Sequence, residues 1–110
     1  MNALQRNHST PVQGSLVDGY DRSAEPGSFY FRDVAPGAQR FLSCRCPCGC
    51  GGLFSLPIGE GVKPAQSPSW HWDGQRERPT LSPSIKDLGG CRWHGYLQAG
   101  VWKPCEDSGR

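Results

Sequence analysis

Hydrophobic and polar positions along this chain never settle into a period of 3.6, so no amphipathic helix is predicted. Residues 1–27 are polar, with Ser, Asn, Gln and Gly scattered among them, and predict a flexible or loosely packed arm. Residues 28–34 (SFYFRDV) are aromatic enough for a first strand. Pro36-Gly37 predicts a turn, and residues 38–43 a second strand running into a cysteine cluster. Residues 53–58 (LFSLPI) form a third apolar strand, and residues 59–69 a loop. Residues 70–72 (WHW) predict a short strand with both indoles on one face, because side chains two apart share a face. Asp73-Gly74 signals a turn. Residues 79–85 (PTLSPSI) are extended, since Pro83 biases its predecessor away from helix. Residues 91–97 and 101–103, joined at Gly100, predict a hairpin, and residues 106–110 a polar tail. The expected organisation is an arm over 1–27, a β domain over 28–105 and a tail over 106–110.

Composition sharpens this outline. The chain has 110 residues, of which 15 are Gly and 10 are Pro, and only 35% are hydrophobic. Turn formers at that density oppose helix interiors. A β domain this small buries a limited core and is expected to need a staple. The formal net charge of +2, with basic residues dispersed, is too mild to argue for nucleic acid. No apolar run reaches the length of a membrane-spanning helix, and the first residues lack the apolar centre of a signal peptide. A reducing, cytoplasmic location is therefore expected, where six cysteines point to metal before disulfides.

The staple is visible in the segment CRCPCGCGG, which places Cys44, Cys46, Cys48 and Cys50 at alternate positions. A plain strand would line the four thiols along one face. Pro47 and the glycines at 49, 51 and 52 favour a tight turn, in which thiolates can converge on one cation. A second knuckle, Cys91-Arg-Trp-His94, follows two glycines. Zinc takes four thiolate or imidazole ligands tetrahedrally. We therefore expect a structural Zn2+ held by cysteines of the first cluster together with Cys91 and His94. Spacing leaves open which of the four early cysteines bind; Cys46, Cys48 and Cys50 are the candidates, with Cys46 and Cys50 preferred. Cys105 reads equally as an alternative ligand or a spare thiol, and His71 as a surface histidine opposite the indoles. A Rieske centre would need a histidine in the first cluster, which has none.

Chemistry beyond the metal is sparse. Trp70 and Trp72 read first as core filler, and alternatively as a stacking platform with Arg76 beside them. There is no HExxH, no GxSxG and no H-x-E paired with a CxxC, so the chain reads as a binding protein before an enzyme. The PTLSPS segment is expected to be structural, its prolines fixing an extended path and Thr80, Ser82 and Ser84 satisfying backbone groups.

Three blocks, CPCGCG (46–51), WHWDGQRERPTLSPSI (70–85) and CRWHGYLQAGVW (91–102), together resemble a group of small phage and prophage proteins. Relatives of that group occur in bacterial ubiquitin-like operons, and many carry the label "ammonia monooxygenase", which no residue here supports. The resemblance covers roughly residues 43–105. It implies a zinc-binding β domain with Cys91 and His94 among the ligands, although CPCGC stands where many relatives have CPxCG. Ubiquitin-like-operon relatives have been suspected of peptidase activity. The expected function is a zinc-stabilised phage accessory protein that binds a host or phage macromolecule, a protein before nucleic acid, for instance to inhibit a host defence or enzyme. A zinc-dependent, peptidase-like hydrolase is the first alternative, and a single-stranded nucleic-acid binder using Trp70, Trp72 and Arg76 the second.

Overall fold

The computed structural model describes residues 7–19, 25–33, 39–87 and 90–110. Its elements are all strands: β1 (Val12–Gln13), β2 (Ser15–Leu16), β3 (Ser28–Asp33), β4 (Arg40–Arg45), β5 (Leu53–Glu60), β6 (Trp70–Trp72), β7 (Leu81–Ser82), β8 (Ile85–Lys86), β9 (His94–Gln98) and β10 (Val101–Pro104). The small all-β class expected from the sequence is what the chain adopts. Among the described residues no helix is long and apolar enough to cross a membrane.

Two sheets share the core. One runs β2-β3-β4-β5-β6-β7, the other β1-β10-β9-β8. Alternation decides which face of each strand turns inward. In β6 both indoles are buried and His71 lies on the opposite, half-exposed face. In β9, Gly95 and Leu97 are buried while Tyr96 and Gln98 are exposed. Trp72, Trp93, Trp102, Phe29, Leu42 and Ile58 lie almost wholly within the interior. Trp93 meets Trp102 edge-on at 5.8 Å, and Phe31 packs on Trp72 at 4.8 Å. Truncating one such indole to Ala would cost about 3–5 kcal/mol.

The segment expected to be an arm is partly built into the fold. Val12 and Gln13 pair with Trp102 and Val101 of β10, and Ser15 and Leu16 run parallel to Ser28 and Phe29 of β3. These two-residue strands carry too little alternation to be seen in sequence; the edges they cover recruit them, by supplying partners for unpaired backbone groups. The tail is likewise anchored: Gly109 donates its N–H to Arg92 O at 2.7 Å, and Ser108 is buried. The Pro36-Gly37 turn lies outside the described residues.

Candidate active site and metal centre

The β4–β5 connection wraps rather than runs straight. Cys46 N–H donates to Gly52 O at 2.8 Å and Gly49 N–H to Cys46 O at 3.1 Å, while Gly49 and Gly51 take φ of 89° and 85°. Only glycine adopts that left-handed backbone without strain. The wrap breaks the strand alternation, and the sulfurs of Cys46, Cys48 and Cys50 converge. Cys91, from the loop before β9, completes the group: the four Sγ atoms all lie within 4.8 Å of one another. Cys46 Sγ stands 3.1 Å from Cys91 Sγ and 3.4 Å from Cys48 Sγ.

Four thiols so placed form a candidate metal site. In a tetrahedral tetrathiolate the metal–sulfur bond of about 2.3 Å sets sulfurs roughly 3.8 Å apart, so the observed spacing needs only small shifts. Burial pushes the Cys46 thiol far up, and pushes Cys48 up to about 12, reinforced by the Cys91 hydrogen bond. At Cys50 burial also acts upward, but the Gly52 N–H and the neighbouring thiols outweigh it and the net shift is downward. Bare thiolates are thus disfavoured at the two buried positions, and a divalent cation supplies the charge that offsets this. Cys44 faces the core instead, wholly buried, its thiol pushed well up by that burial and by the Asp87 charge.

His94, expected beside Cys91 as a ligand, lies elsewhere. It opens β9 and pairs with Lys86 of β8. Ser84 precedes Lys86 by two residues, so it shares a face with His94 as a diagonal cross-strand neighbour, a separation that long side chains span. His94 Nε2 lies 3.1 Å from Ser84 Oγ. Its other nitrogen, Nδ1, lies 2.6 Å from Asp107 Oδ1. An ionised carboxylate only accepts, which puts the ring proton on Nδ1 and leaves Nε2 free to accept from the Ser84 hydroxyl. Serine, imidazole and carboxylate are therefore linked in the order that nucleophilic acyl transfer requires.

Each member is held from behind. Trp70 Nε1 donates to Ser84 O at 3.1 Å, which gives this buried indole a positioning contact rather than an exposed stacking face. Trp72 is buried as well, and Arg76 lies over the Phe31 ring at 4.7 Å. The tail clasps the start of β9. Cys105 N–H donates to His94 O at 2.8 Å, His94 N–H to Ser108 Oγ at 3.0 Å, and Arg92 Nε to Arg110 O at 2.9 Å. The His94 hydrogen bond, helped by the charges of His94 and Lys86, holds the Asp107 carboxyl below its ordinary value. Cys105 joins His94 and Asp107 in a second compact donor group, its thiol pushed up by burial and by the Asp107 charge.

The site is open. The concavity lined by Arg40, Glu60 and Trp72 lies on the six-stranded sheet and includes none of Ser84, His94 and Asp107.

Residues 16–105 match the family model described as "Bacterial ubiquitination-like system serine protease (BubE)". The chain belongs to this family. The match bears out the expected kinship with bacterial ubiquitin-like operon proteins, and the chain carries a cysteine cluster that could hold a metal. Ser84 and His94 lie inside the BubE match, which ends two residues before Asp107. No curated protein and no solved structure matches the chain significantly.

Sequence reasoning missed Ser84 and Asp107 as functional residues. Ser84 sits in a proline-rich extended segment and Asp107 in a polar tail, each an ordinary context for its residue type. The one local hint is the run of turn formers Asp107-Ser108-Gly109, which marks an ordered turn better than a loose end.

Proposed function

We propose that this chain is a serine peptidase acting on a protein component or product of a bacterial ubiquitination-like system, with Ser84 as nucleophile. The observation that carries the reading is the Ser84–His94–Asp107 relay; the family description supports it independently. Ser84 Oγ attacks the carbonyl carbon of the scissile amide while His94 Nε2 takes the hydroxyl proton. Asp107 keeps the ring oriented and stabilises the imidazolium that forms. Collapse of the tetrahedral adduct breaks the carbon–nitrogen bond, and Nε2 hands its proton to the leaving amine. Water, deprotonated by the same nitrogen, then releases the acyl group and restores the serine. The order along the chain is Ser, His, Asp, which differs from the three orders of the familiar serine hydrolase folds.

The metal in this reading is a structural zinc. Cys46, Cys48, Cys50 and Cys91 are its ligands, and a cytoplasmic, reducing location keeps them as thiols. Four such ligands would satisfy a tetrahedral zinc, whose contribution would be to tie the wrapped turn to the loop before β9. The binding-protein and nucleic-acid readings lose their platform, because Trp70 and Trp72 are buried. A phage origin and a host-directed role rest on the sequence resemblance alone.

A fluorophosphonate, which reacts only with activated serines, tests the assignment. Intact-mass and peptide analysis of zinc-loaded protein should locate one adduct at Ser84, absent in Ser84→Ala and at least about a thousandfold slower to form in His94→Ala. Folded protein that labels elsewhere, or labels equally fast without His94, would sink the proposal.

A further inference from the structure

His94 carries the relay, yet it also belongs to a donor set of a different kind. One ring nitrogen of His94, Cys105 Sγ and an Asp107 carboxylate oxygen all lie within 4.8 Å of one another. Cys105 takes no part in the relay through its side chain; only its backbone N–H holds the His94 carbonyl. A nitrogen, a sulfur and an oxygen donor from three side chains form the donor set of a borderline-soft divalent cation. Bond lengths of about 2.0–2.3 Å place such donors roughly 3.3–3.7 Å apart, so closure needs movements of about an ångström. Two of the donors, Cys105 and Asp107, sit on the tail, where the exposed Asp107 carboxylate has room to turn.

We propose that His94, Cys105 and Asp107 form a second, regulatory site for a divalent cation of the zinc class, whose occupation switches the relay off. The inhibitory consequence rests on the serine peptidase reading; the binding does not. Occupation removes the acceptor at Nε2 whichever ring nitrogen binds. If Nε2 binds the cation, its lone pair is used. If Nδ1 binds, the proton it carried for Asp107 moves to Nε2, which then donates towards Ser84 Oγ and can no longer take its proton. The Cys105 thiol proton leaves to solvent and the carboxylate turns from the ring to the metal. Cation binding and catalysis are thus mutually exclusive at one imidazole.

The test uses the 110-residue chain carrying one zinc equivalent in the tetrathiol site. A second equivalent of Zn2+ is titrated against a competing fluorescent zinc indicator, and fluorophosphonate labelling of Ser84 is timed in parallel. Wild-type protein should take up the second equivalent and slow its labelling at least about tenfold. Cys105→Ser, checked for native circular dichroism, should bind it at least about tenfold more weakly, label at the wild-type rate and ignore added zinc. Ser84→Ala should bind it as wild type does. Uptake that stops at one equivalent, or a second equivalent held equally well by Cys105→Ser, overturns the site. A second equivalent that accelerates labelling overturns inhibition. If Ser84 never labels but the second equivalent still depends on Cys105, the cation site stands and the peptidase reading falls.

Discussion

The tetrathiol group and the Ser84–His94–Asp107 relay lie on neighbouring stretches of chain, joined by the loop between Cys91 and His94, yet they are built in opposite ways. The thiols are drawn mostly from one wrapped turn, two of the four are buried, and they tie that turn to the loop entering the second sheet. The relay takes one residue from each of three segments, stands at the surface, and is assembled by strand register and a tail clasp. In the proposed reading the first, once loaded with metal, would make the fold possible, whereas the second is a site the fold makes possible. Removing parts of the two should therefore separate stability from activity.

The largest effect is expected at the thiols. Structural tetrahedral zinc contributes about 10–16 kcal/mol of apparent binding free energy in small domains, as much as the whole stability of a typical domain. Chelation at neutral pH, or Cys91→Ser, should abolish the cooperative thermal transition. Ser84→Ala should keep the transition within a degree or two and lose only serine reactivity. A Cys91→Ser protein that melts like wild type would erase the contrast. Elemental analysis of Cys105→Ser, which lacks the second cation site, should find one zinc per chain and no iron, since a tetrathiolate suits either.

Next comes Asp107. Replacing the orienting carboxylate by an amide is expected to lower kcat about ten-thousandfold, equivalent to roughly 5 kcal/mol in the barrier, with little change in melting. The carboxyl carries its own signature. Its folded value lies below the ordinary 3.8, so the stabilisation from the His94 contact is complete above the unfolded value and is lost as pH falls through the folded one. A carboxyl-carbon NMR titration should place its midpoint below 3.8, and His94→Ala should return it towards that figure.

These two sites were unequally legible in the sequence, for a physical reason. A cluster such as Cys46, Cys48 and Cys50 beside Gly49 and Gly51 announces both its ligand type and its turn. Even so, three thiols converge there rather than two, because left-handed glycines undo the alternation that a strand would impose. The main strands were legible for the same local reason: β3, β5, β6 and the β9–β10 hairpin carry aromatic or alternating runs. The relay was not. Ser84 and His94 become neighbours only through the pairing of Ile85 with Gly95 and Lys86 with His94, and a two-residue strand holds no pattern from which that register could be read. Asp107 depends on the tail bonding back to Arg92 and His94, contacts that no local pattern encodes. His94 was expected as a ligand of the structural zinc, because its place in a C-x-x-H box pointed to Cys91, whereas the fold sets it beside Ser84, Cys105 and Asp107.

A smaller effect separates backbone support from chemistry. Gly95, directly after His94, is packed so that a Cβ would run into Lys103 O and come within 2.7 Å of both Pro104 Cα and the Trp93 ring. The facing strand is backbone and cannot yield cheaply. Gly95→Ala should destabilise by about 2–4 kcal/mol and displace His94, lowering Ser84 labelling in the fraction that remains folded. The tetrathiol centre, held from the other side of the loop, should keep its zinc. Loss of zinc in step with labelling would mean that the two regions form one cooperative unit.

The smallest expected change lies at the far end of the β9 hairpin, away from both sites. Ala99 and Gly100 join β9 to β10 with φ of 49° and 80°, the pair of left-handed residues that a two-residue type I′ turn requires. Glycine at 100 meets that demand, whereas alanine at 99 holds the conformation against a Cβ clash of about 1–2 kcal/mol. Ala99→Gly removes the clash but adds freedom to the unfolded chain worth about 0.4–1 kcal/mol in the other direction. The Ala99 N–H keeps its bond to Thr80 Oγ1 in either case. The net expectation is a gain of about 0.5 kcal/mol, read as a rise of a few degrees in melting temperature. Zinc content and the rate of Ser84 labelling should not move, because neither the knuckle nor the relay draws a side chain from this turn. A variant that melts higher yet labels more slowly would show that hairpin stiffness reaches His94 along β9, and that the relay is coupled to the strand's far end.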